Sequence, residues 1–96
     1  MSYSLEFDQR ALKEWHKLDG NIRIQLKKKL HQILLNPRIE ANRLRTLDNC
    51  YKIKLRQSGY RLIYQVQDEC VVVFVIAIGK RDKEAAYQLA KSRFNT

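Results

Sequence analysis

Between Tyr51 and Arg56 the chain alternates apolar with cationic side chains, and its capacity for chemistry is most concentrated there. A strand turns successive side chains to opposite faces, so Tyr51, Ile53 and Leu55 share one face and Lys52, Lys54 and Arg56 the other. Cations at that spacing lie about 7 Å apart on a rigid surface, which suits a phosphate-bearing ligand and costs energy when no anion is present. The next alternating run puts Tyr60, Leu62, Tyr64 and Val66 on its apolar side and turns Arg61 and Gln65 toward the lysines. Arg81 follows at the exit of a third run. The expected chemistry is phosphate recognition by a basic patch on a sheet.

The elements that hold this patch are legible from periodicity. Tyr3, Leu5 and Phe7 alternate with polar residues, which predicts a short first strand. Asp8 is the expected N-cap of a helix carrying Leu12, Trp15 and Leu18 and stopping at Asp19-Gly20. Asn21 is expected to cap a second helix, in which Ile22, Leu26, Leu30, Ile33 and Leu34 recur at helical spacing and which Pro37 ends. So short a break implies an antiparallel helical hairpin laid on the sheet.

Residues 38–49 show no period and read as an irregular connection. Strands are expected at 51–56, 60–67 and 71–78, joined by tight turns at Gln57-Ser58-Gly59 and Gln67-Asp68-Glu69 into an antiparallel meander. The run Val71 to Ile78 is apolar on both faces and belongs mid-sheet, with Gly79-Lys80-Arg81 closing it. Asp82 is the expected cap of a last helix burying Ala86, Leu89, Ala90 and Phe94, with Tyr87 off that stripe. The fold class is α+β, in the order β-α-α-β-β-β-α: a mostly antiparallel four-stranded sheet packed by a helical hairpin and a C-terminal helix. Residues 1–96 are expected to form one domain.

Nineteen Lys and Arg against ten Asp and Glu give a net charge of +9, which favours nucleic acid, an anionic surface or an acidic protein as partner. A membrane is not expected: the longest apolar run has eight residues, against the ~20 of a spanning helix. Met1 to Phe7 has neither the basic start nor the apolar centre of a leader, so a cytoplasmic location is expected. Cys50 and Cys70 lack metal-ligand spacing and read as small buried or half-buried thiols. Arg10, Lys13, Lys17, Arg23, Lys27 and Lys28 occupy outward helix faces, as a solvated surface or as RNA phosphate contacts.

Three segments together carry a family resemblance: Tyr51-Lys52-Ile53-Lys54-Leu55-Arg56, Gly59-Tyr60-Arg61-Leu62-Ile63-Tyr64, and Ile78-Gly79-Lys80-Arg81 with Tyr87. With Leu12-Lys13-Glu14-Trp15 and Pro37-Arg38-Ile39-Glu40-Ala41-Asn42, they make the chain resemble the RelE toxins of bacterial type II toxin–antitoxin pairs, in the RelE/ParE superfamily. The resemblance implies the RelE-like fold and a ribosome-dependent endoribonuclease that enters the ribosomal A site, cuts the mRNA codon there and halts translation. The implied partners are the ribosome with its 16S rRNA, the A-site mRNA and a cognate RelB-like antitoxin, whose binding shifts the last helix. The implied active-site residues are Lys52, Lys54, Arg61, Arg81 and Tyr87, with Arg45 a weaker candidate for RNA contact. Arg56, Lys13, Lys27 and Lys28 are further RNA-contact candidates. No cofactor or metal is expected, since the carboxylates are scattered and none joins the basic strand face.

The wider superfamily often has a His where this chain has Lys80, and His16 and His31 fall on the helical hairpin. The expected reaction is therefore attack of a ribose 2′-hydroxyl on the adjacent phosphorus without an imidazole. Crowding of cations disfavours protonation of one lysine, so Lys54, or alternatively Lys52, is the expected base. Arg61 is suited to gripping the phosphorane oxygens and Arg81 to stabilising the leaving oxygen, while Tyr87 stacks on a base or orients the 2′-hydroxyl. Two other classes fit less of the pattern: a ParE-like DNA gyrase poison, and a basic RNA-binding module without catalysis.

Overall fold

The computed structural model describes residues 2–80 and 85–94. The first strand, β1, runs Ser4–Phe7, and α1 spans Gln9–Lys17. The Asp8 carboxylate accepts the Arg10 backbone N–H at 2.8 Å, satisfying a donor that a helix start leaves unpaired. The second helix, α2, spans Gly20–Ile33, and its first bond runs from the Arg23 N–H to the Asp19 carbonyl at 3.0 Å. Asp19 therefore takes the N-cap backbone position, and Asn21, expected as the cap, lies inside the first turn. A 3₁₀ turn at Glu40–Asn42 interrupts the connection that follows.

Strands β2 (Cys50–Lys54), β3 (Tyr60–Gln67) and β4 (Val72–Lys80) form the expected meander, and α3 spans Ala85–Phe94. The sheet order is β1-β4-β3-β2, with β1 parallel to β4 and the other pairs antiparallel, so the apolar β4 run is indeed internal. β2 is shorter than expected. The Gly59 N–H donates to the Leu55 carbonyl at 2.9 Å, and Gly59 takes the left-handed φ of 78° that this turn requires. The chain therefore leaves the ladder after Lys54, and Arg56 sits in the turn instead of on the strand.

Each face of the sheet carries its own core. Ala11 and Leu18 of α1 and its exit, and Ile22, Leu26 and Leu30 of α2, pack against Ile53, Leu62, Tyr64, Val73 and Val75. On the other face Ala86 and Ala90 of α3 meet Cys50, Ile63, Ile76 and Ala77. Tyr64 pairs with Val75 and Ile63 with Ala77, so Ile76 is an extra residue, a β-bulge that reverses the parity of β4. After it Ile78 joins the core under α1 and α2, and Gly79 lies opposite Arg61. A Cβ at Gly79 would stand 3.2 Å from the Ala86 backbone nitrogen, so the missing side chain lets the first turn of α3 rest on the end of β4. The buried polar atoms at the other end are paired: the Tyr64 hydroxyl donates to the Pro37 carbonyl at 2.7 Å.

Cys50 is buried as expected, and its thiol is pushed up to about 12, first by burial and then by Asp48. Such a thiol is inert as a nucleophile. Cys70 departs from expectation and is exposed, because it lies in the turn that left-handed Val71, at φ 56°, closes back into β4.

Candidate active site

The β2–β3 register pairs Lys54 with Arg61 and Lys52 with Ile63. Cross-strand partners share a face, so these cations sit together on the side of the sheet that carries α3. Arg61 is only 8% exposed, and its Nη1 donates to the Tyr60 carbonyl at 3.4 Å. Among the described residues no carboxylate forms an ion pair with it. A buried guanidinium without a counter-ion is costly, and an anion bound at this face would offset that cost.

The same crowding acts on Lys54, which is exposed. Its pKa is lowered, first by the Lys52 ammonium, then by desolvation, then by Arg61, by a hydrogen bond with Lys52 and by Arg56. Lowering favours the neutral amine, the form that can take a proton from a hydroxyl. The pair therefore places a lysine that gives up its proton more readily, and so can act as a base, opposite a fixed cation.

Tyr87 is half-buried and packs on the cluster containing Ile63, Ala77 and Ala86, on the same face as the cations. The close approach at Gly79 fixes the helix turn that carries it. Lys80 lies at the end of β4 with its ammonium 5.6 Å from the centre of the Tyr60 ring. Arg81, assigned to the leaving group, and Asp82, assigned as a helix cap, fall outside the described residues.

The remaining RNA-contact candidates do not converge on this face. Lys13 on α1 and Lys27 and Lys28 on α2 are exposed on helices that cover the opposite side of the sheet. Arg45 is exposed in the connection before β2. His16 and His31 are also exposed, and they border an apolar groove of about 560 Å³ with Trp15 and Ile24. Among the described residues no group of three or more His, Cys, Asp or Glu could hold a metal ion.

Two features escaped the sequence reading. A second cleft, about 480 Å³, runs along β2 and adds Lys29 of α2 to Lys52, Lys54 and Arg56. The run Lys27-Lys28-Lys29 was visible, but its spacing does not single out the member that reaches the sheet edge. Glu14 and Arg93 form an ion pair at 2.8 Å between α1 and α3, for which separation along the chain left no local signal.

The ParE toxin of type II toxin–antitoxin systems, parDE, is the family that matches residues 5–85. The mRNA interferase toxin RelE of Escherichia coli (strain K12) is 62% identical over 93 residues, covering 97% of this chain and 98% of that one. The mRNA interferase RelE of Shigella flexneri has the same 62% identity and the same coverage, 97% and 98%. Among solved structures, a free-state arginine-substituted E. coli toxin RelE superposes with a TM-score of 0.90 at 61% identity, covering 97% of this chain and 98% of that one. The intact E. coli RelBE toxin–antitoxin complex matches with a TM-score of 0.81 at 67% identity, over 82% of this chain and 96% of that one. Near-full-length identity, shared topology and the cationic sheet face agree: the chain belongs to the RelE mRNA interferases, within the ParE toxin family of type II toxin–antitoxin systems.

Proposed function

We propose that the cationic face cuts messenger RNA in the A site of the ribosome, with Lys54 as base and Arg61 as the electrostatic clamp. The observation that carries this reading is the Lys54–Arg61 pairing, in which an exposed lysine with a lowered pKa faces a buried guanidinium that no carboxylate among the described residues pairs with. Lys54 removes the proton of a ribose 2′-hydroxyl, and the resulting oxyanion attacks the adjacent phosphorus. Lys52 lowers the pKa of Lys54, which favours its neutral form, and binds a phosphate oxygen. Arg61 receives the charge that builds on the phosphorane, a role typically worth about 10²–10³ in rate. Arg81 stabilises the leaving 5′-oxygen, which takes up a proton from water as the P–O5′ bond breaks, and Tyr87 stacks on a neighbouring base. The products are a 2′,3′-cyclic phosphate end and a 5′-hydroxyl end.

The exposed cations of α1 and α2, Lys13, Lys27 and Lys28, with Arg45 and Arg56, serve 16S rRNA and flanking phosphates without reading sequence. The cognate partner is a RelB-like antitoxin, as in the complex of the E. coli relative, whose binding displaces α3 and with it Tyr87. The site of action is the cytoplasm, where ribosomes are; among the described residues no helix is long and apolar enough to cross a membrane.

End-group analysis of the cut message tests the chemistry. A 2′,3′-cyclic phosphate at the A-site codon is expected, and a 3′-hydroxyl product would rule out the 2′-attack. Because the matched family is described as ParE, a gyrase supercoiling assay is the companion measurement. No inhibition is expected there.

A further inference from the structure

We propose that the cleft between α2, the 3₁₀ turn and β2 is a subsite for one single-stranded RNA nucleotide beside the cleaved phosphate, whose base edge is read by Gln32 and Asn42. This rests on the reading of Lys52 and Lys54 as the cleavage face, because both also line the cleft.

The cleft combines three kinds of group that such a nucleotide needs. Its cations come from two separate parts of the chain, Lys29 from α2 and Lys52, Lys54 and Arg56 from β2 and the turn after it, and among the described residues no carboxylate lines it. None of them takes part in an ion pair among the described residues. Half-buried Ile33 and Ile39 supply an apolar surface for a base face. The amides of Gln32 and Asn42 each offer a donor and an acceptor, the combination that pairs with a base edge. Neither amide is used elsewhere: no hydrogen bond within the protein engages either side chain among the described residues.

Size and continuity point the same way. A volume of about 480 Å³ lies within the ~300–1,000 Å³ typical of small-ligand sites. The cation row passes from the cleavage face into the cleft without a break at Lys52 and Lys54, so a strand whose phosphate sits on Lys54 has its neighbouring nucleotide at the cleft. An acidic protein segment would satisfy the cations but would leave the paired amides without a purpose.

The test is cleavage of ribosome-bound messages that differ only in the A-site codon and its neighbours, with the native chain and with Lys29→Ala, Gln32→Ala and Asn42→Ala. All three positions are exposed or half-buried, and a native unfolding midpoint for each variant checks that it folds. Losing one base-reading hydrogen bond should change the ratio between favoured and disfavoured sequences by about tenfold in Gln32→Ala or Asn42→Ala. Lys29→Ala should lower cutting by a similar factor at every sequence, the signature of a phosphate contact. A native cut together with unchanged sequence ratios in both amide variants would overturn the subsite and leave the cleavage reading intact. Absence of any native cut would overturn both. Loss of antitoxin affinity in the same variants, with unchanged sequence ratios, would identify the cleft as a protein-binding surface and likewise overturn the proposal.

Discussion

Glu14 of α1 and Arg93 of α3 grip each other with hydrogen bonds of 2.8 and 2.9 Å around the edge of β4, from opposite faces of the sheet. β1 pairs with β4 only as far as Val75, so beyond it the main-chain groups on that outer edge of β4 have no strand partner. The ion pair takes their place: the Ile78 N–H donates to Glu14 Oε1 at 3.1 Å, and Arg93 Nη1 donates to the Ile76 carbonyl at 2.8 Å. The clamp is therefore a substitute for strand pairing. It also ties α3, the carrier of Tyr87, to the hairpin side of the molecule.

Arg93→Ala should destabilise the fold by about 2–4 kcal/mol, since it strands a partly buried carboxylate and a main-chain carbonyl. Urea unfolding reads this as a lower midpoint at unchanged slope. A midpoint equal to that of the native chain would mean the clamp holds nothing.

The contrast between this clamp and the β2–β3 cations shows what the sequence can reveal. Lys52, Lys54 and Arg61 were placed on one face by a period of two, a rule that needs only neighbours along a strand. Asp8 was identified as a cap for the same reason, because its bond reaches only two residues on. Arg56 was misplaced by that rule: its parity is right, but the turn closed by Gly59 begins before it. Asn21 lost the cap to Asp19, which competes for the same backbone position. Glu14 and Arg93 are 79 residues apart, and only the completed sheet brings them together.

Lys54 gives the pH dependence of cleavage a sign. A base must be neutral to act, so the rate should rise with pH through the pKa of Lys54, which lies below the ordinary lysine value of 10.5. Lys52→Ala removes the largest cause of that lowering and should move the rising limb to higher pH, whereas Lys54→Arg should abolish the limb and the activity together. Initial cutting rates measured across pH with ribosome-bound message decide this. A limb that stays in place in Lys52→Ala would contradict the role given to Lys52.

Gly79→Ala should separate activity from stability. The added Cβ meets the Ala86 backbone nitrogen at 3.2 Å, so α3 must shift by a few tenths of an ångström and carry Tyr87 with it. A stability loss of about 1–2 kcal/mol should accompany a roughly 10–100-fold loss of cutting, because misplaced groups cost rate steeply. Thermal unfolding and a single-turnover rate, measured on the same sample, check both halves.

Asp68, like Asp8, contributes to the acid limb of stability. Its carboxylate accepts from Arg38 and from the Tyr3 hydroxyl, at 2.7 Å for the latter, and these bonds, Arg38 first, hold its pKa below the ordinary value of 3.8. A depressed carboxylate stabilises the fold above its ordinary pKa, and that contribution is lost as pH falls through the folded-state value. Asp68→Asn should therefore lower stability at neutral pH and flatten its decline below about pH 4. Unfolding midpoints from neutral pH down to about pH 2 measure the slope directly.

Buried Tyr64 tests the other end of the sheet. Tyr64→Phe keeps the ring stacked on Tyr51 at 5.7 Å but removes the donor to the Pro37 carbonyl. The expected cost is about 1–3 kcal/mol, from an acceptor left unsatisfied in the core. An unchanged midpoint would show that another donor reaches Pro37.

If buried Arg61 facing Lys54 cuts RNA on the ribosome, primer extension on ribosome-bound message must separate the native chain from Arg61→Ala. The native chain should leave a break within the A-site codon, and Arg61→Ala, shown folded by its unfolding midpoint, should cut about 10²–10³ times more slowly. A folded Arg61→Ala that cuts at the native rate would mean that Arg61 is not the phosphate clamp.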